Sequence, residues 1–544
     1  MDKQKKIFFS VYNREANPEE YPGGLAYSVH MAYSTDGFKF QPLNKNYGIV
    51  FEKGDISNQD TIIPKGVRNP KIFYMDQGTY GICGQRTYED GSLEDSAINK
   101  VVLWTTKDFI HFERMGLIES RLIKQWKHAE FVEVEEEIAQ KAITHWRPVR
   151  NTDFKLPDTI EVKNEEELDA ITAKAVYSDG SEVEKKLYWD KSTIDFQRSG
   201  TYEACARVGQ KSFVFPLAKG YGDPVLLRWE DKWYFVATND NLDDIGIYVR
   251  QGDCIEDLFK DDVVENLILP LDKKRGFVQT FWAPEFHVIG GELYILFAVS
   301  GEMWGPQCHI MKLKKGASII CEESWENPIP VVRKDGSPLA PNAISLDMTY
   351  IGAASGSYMV WSYRKNIGTP LDTGSMLYIA TIDEKEPWKL TSEPVLLTRP
   401  LYGWENVDGT INNEGPYCFV KNHTVYLTYS GGAANGYTYA LGLLTADERE
   451  NLLDINSWTK RITPVLTYYS VPGEYGPGHN SFFINEDGEL MIAYHGETDI
   501  KEHLRCDGIR RVHFRKDGQP DFELSNEQEL KEEYRMIQRK IVVK

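Results

Sequence analysis

Five polar residues recur at near-even intervals through the last three-fifths of the chain: Asp223, Glu285, Asp347, Glu414 and His479, separated by 62, 62, 67 and 65 residues. Four are carboxylic acids. Hydrolysis of a glycosidic bond needs two such groups, one ionised to take a proton from water and one protonated to give a proton to the departing oxygen. A third carboxylate close by raises its neighbour's pKa by like charge and keeps the acid protonated near neutral pH. Asp223, Asp347 and Glu414 have the right types for these three tasks, although spacing by itself assigns no roles. The competing reading of the same acids is structural: at strand starts they cap backbone amides or face a central cation.

The elements that must position them follow each polar residue directly. DPVLLRWEDKWYFVA, EFHVIGGELYILFAV, DMTYIGAASGSYMVWS, EGPYCFVKNHTVYLTYS and HNSFFINEDGELMIAYHG each read as a strand, a turn and a second strand rich in aromatic and β-branched residues. Five such units predict an all-β, five-bladed propeller over residues 218–535. Its innermost strands converge on one axis, so polar residues far apart in sequence would share one cavity.

Upstream, residues 1–148 form a β-rich, partly propeller-like region with hairpin ends YSTDGFKF and WTTKDFIHF. In GVRNPKIFYMDQGTYGICGQR, Asn69 stands where an acid would be needed, and an amide cannot exchange a proton near neutral pH. Residues 149–217 alternate in short strands, with YSDGS as a turn and SGTYEACARV as a closing strand, and read as a bacterial immunoglobulin-like sandwich. The acidic runs Glu135–Glu137 and Glu165–Glu167 read as solvated faces. The tail EQELKEEYRMIQRK reads as closing in a short helix, with 536–544 a terminal extension.

GYGDPVLL around Asp223, ISLDMTYI around Asp347 and NEGPYCFVKNHTVYLTYSGG around Glu414, in this order, resemble glycoside hydrolase family 43. LLTADERENLLDINSWTK and YGPGHNSFF add to the likeness, especially to its α-L-arabinofuranosidase-like members. The resemblance spans residues 218–535 and implies an inverting mechanism, with Asp223 as general base, Glu414 as general acid and Asp347 as pKa modulator. Inversion implies carboxyl groups about 6.5 to 9.5 Å apart. It further implies a supporting acid at Glu285, and an arginine reaching the pocket from GIRRVHF, Arg511 with Arg510 as its rival. No cofactor is implied as required. His479 is expected to contact either the sugar or, through water, a mostly hydrated Ca²⁺ on the propeller axis. Among Trp282, Trp304, Trp361 and Trp404, one or two are expected to stack on sugar, Trp282 and Trp404 foremost.

The chain has 544 residues, 12% aromatic, with a net charge of -20. That charge argues against nucleic acid or an anionic membrane as partner and suits a neutral oligosaccharide. No run could span a bilayer, the opening MDKQKKIFFSVYNRE lacks a signal-peptide core, and seven scattered cysteines read as reduced thiols, so a cytoplasmic location is expected. GxGxxG after a strand, P-loop, HExxH and GxSxG are missing, as is the WMNDPNG-like opening of fructoside-cleaving propellers. The resulting expectation is an inverting exo-glycosidase releasing L-arabinofuranose from arabino- or arabinoxylo-oligosaccharides. β-D-Xylosidase and a non-catalytic carbohydrate-binding propeller are the alternatives, and oligomeric state is left open.

Overall fold

The computed structural model describes residues 6–126 and 129–544. They divide into two compact units, Met1–Trp146 with Phe215–Phe482 and Ala493–Gly508, and Arg147–Val214 with Phe483–Ile492 and Ile509–Lys544.

In the first unit, five four-stranded antiparallel sheets follow one another from residue 218, designated blades A to E, the arrangement expected of a propeller. Their innermost strands are Tyr221–Trp229, Gln279–Ile289, Ile344–Ala353, Asn413–Lys421 and Tyr475–Ile484. The second strand of each blade is covered on both faces, so it loses the polar alternation of a half-solvated strand. Glu292–Ser300 (ELYILFAVS) is buried at all but its first residue. Blade E takes its outermost strand from the start of the repeat, where Ala218 and Lys219 pair with Asp507 and Cys506.

Hydrogen bonds link each blade to the next around a closed ring. Ala283 N–H donates to Thr238 Oγ1 (2.8 Å) between A and B, and Cys308 N–H to Ser345 Oγ (3.1 Å) between B and C. Gly415 N–H donates to Asp347 Oδ2 (3.0 Å) between C and D, and His479 N–H to Ser430 Oγ (2.8 Å) between D and E. Ser481 Oγ–H donates to the Pro224 carbonyl (2.7 Å), joining E back to A. The ring brings positions hundreds of residues apart to one axis.

The N-terminal region belongs to this same unit. Instead of a partial blade it holds two four-stranded sheets, one of them running Lys65–Asp76, Thr79–Tyr88, Lys100–Thr106 and Glu113–Glu119. Phe9, Met31, Ile82, Trp104 and Trp146 share its core. It meets the connection between blades C and D, where Gly54 N–H donates to the Leu401 carbonyl (2.6 Å) and Arg399 Nη1 to Asp60 Oδ1 (2.6 Å).

The second unit holds the region expected to be an immunoglobulin-like sandwich. It is a six-stranded sheet folded about Glu182–Trp189: Glu182–Lys186 pair with Thr172–Val176 on one side, and Leu187–Trp189 with Ala206–Val208 on the other. The fold encloses Phe154, Leu168, Tyr177, Trp189 and Ile541. The C-terminal expectation is corrected here. Met536–Val543 is a strand, antiparallel to Gly200–Arg207 and parallel to Thr159–Val162, and only Glu532–Tyr534 form a single helical turn. Ile537, Ile541 and Val543 are buried, a period that suits a pleated strand with one face inward. Glu135–Glu137 and Glu165–Glu167 are exposed, as a solvated acidic run should be.

Candidate active site

A bulge near the start of the inner strand in blades A to D sets the site. The register slips between Gly222 and Val225, Trp282 and Glu285, Leu346 and Thr349, and Glu414 and Tyr417. Within these bulges Asp223, Ala283, Asp347 and Gly415 have positive φ (60°, 45°, 52° and 54°), and His479 in blade E has φ 40°. A bulge re-aims a side chain and breaks the pleat locally, which lets consecutive polar groups face the axis. Proline follows three of these residues, at 224, 284 and 416, where the broken ladder spares it a lost N–H bond. Asn69–Pro70 repeats the geometry in the N-terminal sheet, with φ 51° at Asn69, whose amide is exposed and bonded to Gln85. The conformational repeat therefore runs through Ala283 and Gly415, not through Glu285 and Glu414. At Gly415 only glycine fits, because a Cβ would stand 2.8 Å from the His479 ring at a positive φ.

Asp223 is buried and held on every side. Its Oδ2 accepts from Thr238 Oγ1 (2.5 Å), and its Oδ1 meets His479 Nδ1 (2.9 Å), Arg505 Nη1 (3.0 Å) and His495 Nδ1 (3.3 Å). His495 Nδ1 accepts the Asp223 N–H (3.1 Å) while Nε2 lies 2.9 Å from the Ala434 carbonyl, a pair of partners that suits a neutral ring with its proton on Nε2. Burial accordingly lowers the His495 pKa. Burial alone would raise the Asp223 pKa, yet the charges of His479 and Arg505 and the His479 hydrogen bond hold it well below the ordinary carboxylate value.

Glu414 lies in the opposite electrostatic condition. Burial first, then the Asp347 charge, push its pKa up to about 7 against the pull of His479 and a 3.0 Å bond from the Tyr439 hydroxyl. Asp347 is itself raised to about 6, by burial and then by Asp223, with His479 and the Gly415 N–H opposing. Tyr439 also stacks on His495, with centroids 5.5 Å apart, so one ring touches the partners of both outer acids. The cluster thus holds one carboxylate kept ionised and one carboxyl with its pKa raised to about 7, the division of labour that acid and base chemistry requires.

Glu285 is buried and bonded to His287 (Oε2 to Nε2, 2.6 Å), and burial raises its pKa. Trp282 is half-buried and donates through Nε1 to Asp244 Oδ2 (2.8 Å). Asp244 adjoins Asp240, and Asp240 is ion-paired to the same Arg505 that holds Asp223, so Trp282 flanks the site. Trp304 is half-exposed in the loop after Glu292–Ser300, whereas Trp361 is buried against Tyr378.

Two expected binding residues are corrected. Trp404 has no exposed surface: it packs on Tyr429 and donates to the Ile462 carbonyl (2.9 Å), so no sugar can reach it. Arg511 lies in the second unit, pairing through Nε and Nη2 with Glu529 (2.9 Å each) beside Tyr177 and His513. The pocket's arginine is Arg505, six residues earlier. Arg505, Thr238, His495 and Tyr439 were not singled out by sequence. A signal existed: YFVAT, YMVWS, YLTYS and MIAYH each end an apolar second strand on a polar residue, and those residues are Thr238, Ser362, Ser430 and His495.

His479 does not by itself make a calcium site. Among the described residues no group of three or more His, Cys, Asp and Glu side chains could hold a metal, while Ca²⁺ takes six to eight oxygens. The His479 Nδ1 is committed to Asp223, and its buried Nε2 is a nitrogen, so the residues present supply no ligand set for this ion.

Comparison with known proteins bears on the same residues. The model of the family "Glycosyl hydrolases family 43" matches residues 216–520. The chain is 29% identical over 323 residues to an "Extracellular exo-alpha-(1->5)-L-arabinofuranosidase" of Streptomyces avermitilis, covering 57% of this chain and 63% of that protein. It is 32% identical over 290 residues to an enzyme of the same description from Streptomyces chartreusis, covering 53% of this chain and 83% of that one. Among solved structures, an α-L-arabinofuranosidase from Lactobacillus brevis matches with a TM-score of 0.50 and 28% identity, over 57% of this chain and 96% of that one. The cytoplasmic expectation is overturned here, since both Streptomyces relatives are named as extracellular. Unpaired cysteines were a poor guide to compartment, because a thiol with no second cysteine at bridging distance stays unpaired in oxidising surroundings too. Among the described residues no helix is long and apolar enough to cross a membrane. The match over residues 216–520 contains Asp223, Asp347 and Glu414 in their bulges, and the chain belongs to family 43 of the glycosyl hydrolases.

Proposed function

We propose that the protein is an exo-acting α-L-arabinofuranosidase that releases terminal L-arabinofuranose from arabino- or arabinoxylo-oligosaccharides with inversion. The observation that carries this is the split in protonation within one buried cluster: Asp223 is held well below the ordinary carboxylate value, and Glu414 is raised to about 7. Asp223 removes a proton from the attacking water, and Glu414 delivers one to the departing sugar oxygen as the bond breaks. Asp347, ionised, supplies part of the charge that keeps Glu414 protonated. Thr238 and Arg505 hold the base's carboxylate in place, and His495 accepts its backbone N–H. The identity of the sugar is supported by the names of the relatives, two of them exo-acting on α-1,5-linked L-arabinofuranose. A propeller that only binds carbohydrate has no use for an acid and a base of opposed pKa in one cavity.

A panel of 4-nitrophenyl glycosides tests the reading, with α-L-arabinofuranoside expected to be cleaved ahead of β-D-xyloside and β-D-galactoside. Preference for the xyloside would reassign the sugar, and no cleavage of any glycoside would refute the enzyme. Proton NMR of the first product should show the anomer opposite to the substrate's, and retention would refute inversion.

A further inference from the structure

A cavity of about 550 Å³ lies in the first unit, lined by Tyr27, Tyr88, Glu89 and Asp90 of the N-terminal region and Gly409 of the connection between blades C and D. Its volume falls within the range of ligand clefts, roughly 300 to 1,000 Å³. None of these residues takes part in the acid and base chemistry, yet the cavity is tied to it by the chain. Gly409 precedes Glu414 by five residues, which span at most about 18 Å.

The lining has the makings of a sugar site. Tyr88 is 40% exposed, and the ammonium of buried Lys65 stands 4.0 Å from its ring centroid. A cation fixed against one face of a ring holds it in place and leaves the opposite face available. Tyr27, with the Arg68 guanidinium 5.6 Å from its centroid and Gly91 and Gly23 packed against its ring, forms a fixed wall. The two carboxylates ride on a closed turn. Tyr88 N–H donates to the Ser92 carbonyl (2.9 Å), Gly91 N–H to the Tyr88 carbonyl (3.0 Å), and Asp90 Oδ1 accepts the Ser92 N–H (2.8 Å) and hydroxyl (2.6 Å). Sugar rings present C–H groups on one face and hydroxyl donors at the edge. The Tyr88 face matches the first, and the Asp90 carboxylate, which only accepts, matches the second.

We infer that this cavity is a non-catalytic subsite that holds a sugar residue of the same oligosaccharide whose end is hydrolysed between Asp223 and Glu414. The inference rests on the hydrolase reading above and adds a reason for the N-terminal region to share a unit with the propeller. It makes chain length, not terminal sugar alone, a determinant of affinity.

The test uses Tyr88→Ala and Asp90→Asn in the full chain, with thermal melting to confirm folding. Both should cleave 4-nitrophenyl α-L-arabinofuranoside and the arabino-disaccharide as the parent does. On longer linear α-1,5-arabino-oligosaccharides the Tyr88→Ala KM should rise about 2- to 12-fold at unchanged kcat, the scale of one lost ring contact. An unchanged KM on the longest oligosaccharide overturns the subsite, and an equal rise on the disaccharide overturns its distal position. If the parent cleaves no arabinofuranoside, the functional reading has failed separately. The subsite is then decided by affinity electrophoresis in linear arabinan, comparing Glu414→Gln with Glu414→Gln carrying Tyr88→Ala. Equal retardation of the two would overturn it.

Discussion

Asp223 Oδ1 and His479 Nδ1 lie 2.9 Å apart, and each sets the protonation of the other. Burial disfavours a charged imidazole, but Asp223 and then Asp347 raise the His479 pKa to about 10. The imidazolium and the Arg505 guanidinium then counter the buried Asp223 charge, and Asp223 stays ionised despite its burial. Among the described residues no such cation bonds Glu414, and its pKa stays raised.

The two outer acids should part company when the leaving group changes. A sugar alkoxide must be protonated as the bond breaks, whereas a dinitrophenolate leaves as a stable anion. Glu414→Ala is expected to lose about 10²- to 10⁴-fold in kcat on oligosaccharides and much less on a dinitrophenyl arabinofuranoside. Asp223→Ala should lose on both. Steady-state kinetics of the two variants on the two substrates check this, and the reverse pattern exchanges the roles.

The pH profile should report Glu414 directly. Its protonated form is the active one, so kcat/KM is expected to fall as pH rises through about 7. Asp347 contributes negative charge that raises this pKa. Asp347→Asn removes the charge, lowers the Glu414 pKa and moves the basic limb to lower pH. A basic limb that stays in place in this variant would remove Asp347 from the role of modulator.

Gly222 keeps space for the arginine that holds Asp223. A Cβ there would stand 2.2 Å from Arg505 Cζ and Nη1. The obstacle is the tip of a long side chain, so Gly222→Ala should fold and displace the guanidinium. Loss of its positioning is expected to cost up to about 10²-fold in kcat. Loss of its charge should raise the Asp223 pKa, so the acidic limb of the profile moves to higher pH. Circular dichroism confirms the fold, and the profile reads the shift.

Arg511 should behave as a residue of the second unit. Arg511→Met leaves Glu529 without the guanidinium that its carboxylate meets through both oxygens, and a buried pair broken on one side costs roughly 3 to 5 kcal/mol. Calorimetry should show the melting temperature falling, while kcat on the aryl arabinofuranoside at 25 °C stays as in the parent. A specific loss of kcat in a well-folded variant would place Arg511 back at the site.

Much of the site was legible because it is written locally. Asp223, Asp347 and Glu414 each sit at the head of a hydrophobic, β-branched strand, and strand, turn and strand recur over stretches of about fifteen residues. Solvent exclusion from a second strand such as ELYILFAVS leaves its mark on the residues themselves. What the chain does not write locally is which side chains meet across the axis. Arg505 reaches Asp223 over 282 positions, and Arg511, six residues further on, is drawn to Glu529 instead. Trp404 looks as suited to stacking as Trp282, and only packing against Tyr429 removes it from solvent. Met536–Val543 carries charges that suit a helix, yet the open edges of Gly200–Val208 and Thr159–Val162 offered backbone partners on both sides. The sequence by itself thus determined the strands and the three acids, through patterns that burial and pleating impose on neighbours. The tertiary structure decided the cations around Asp223, the raised pKa of Glu414 and the fate of each tryptophan, because charge and packing act through space between residues the chain keeps far apart.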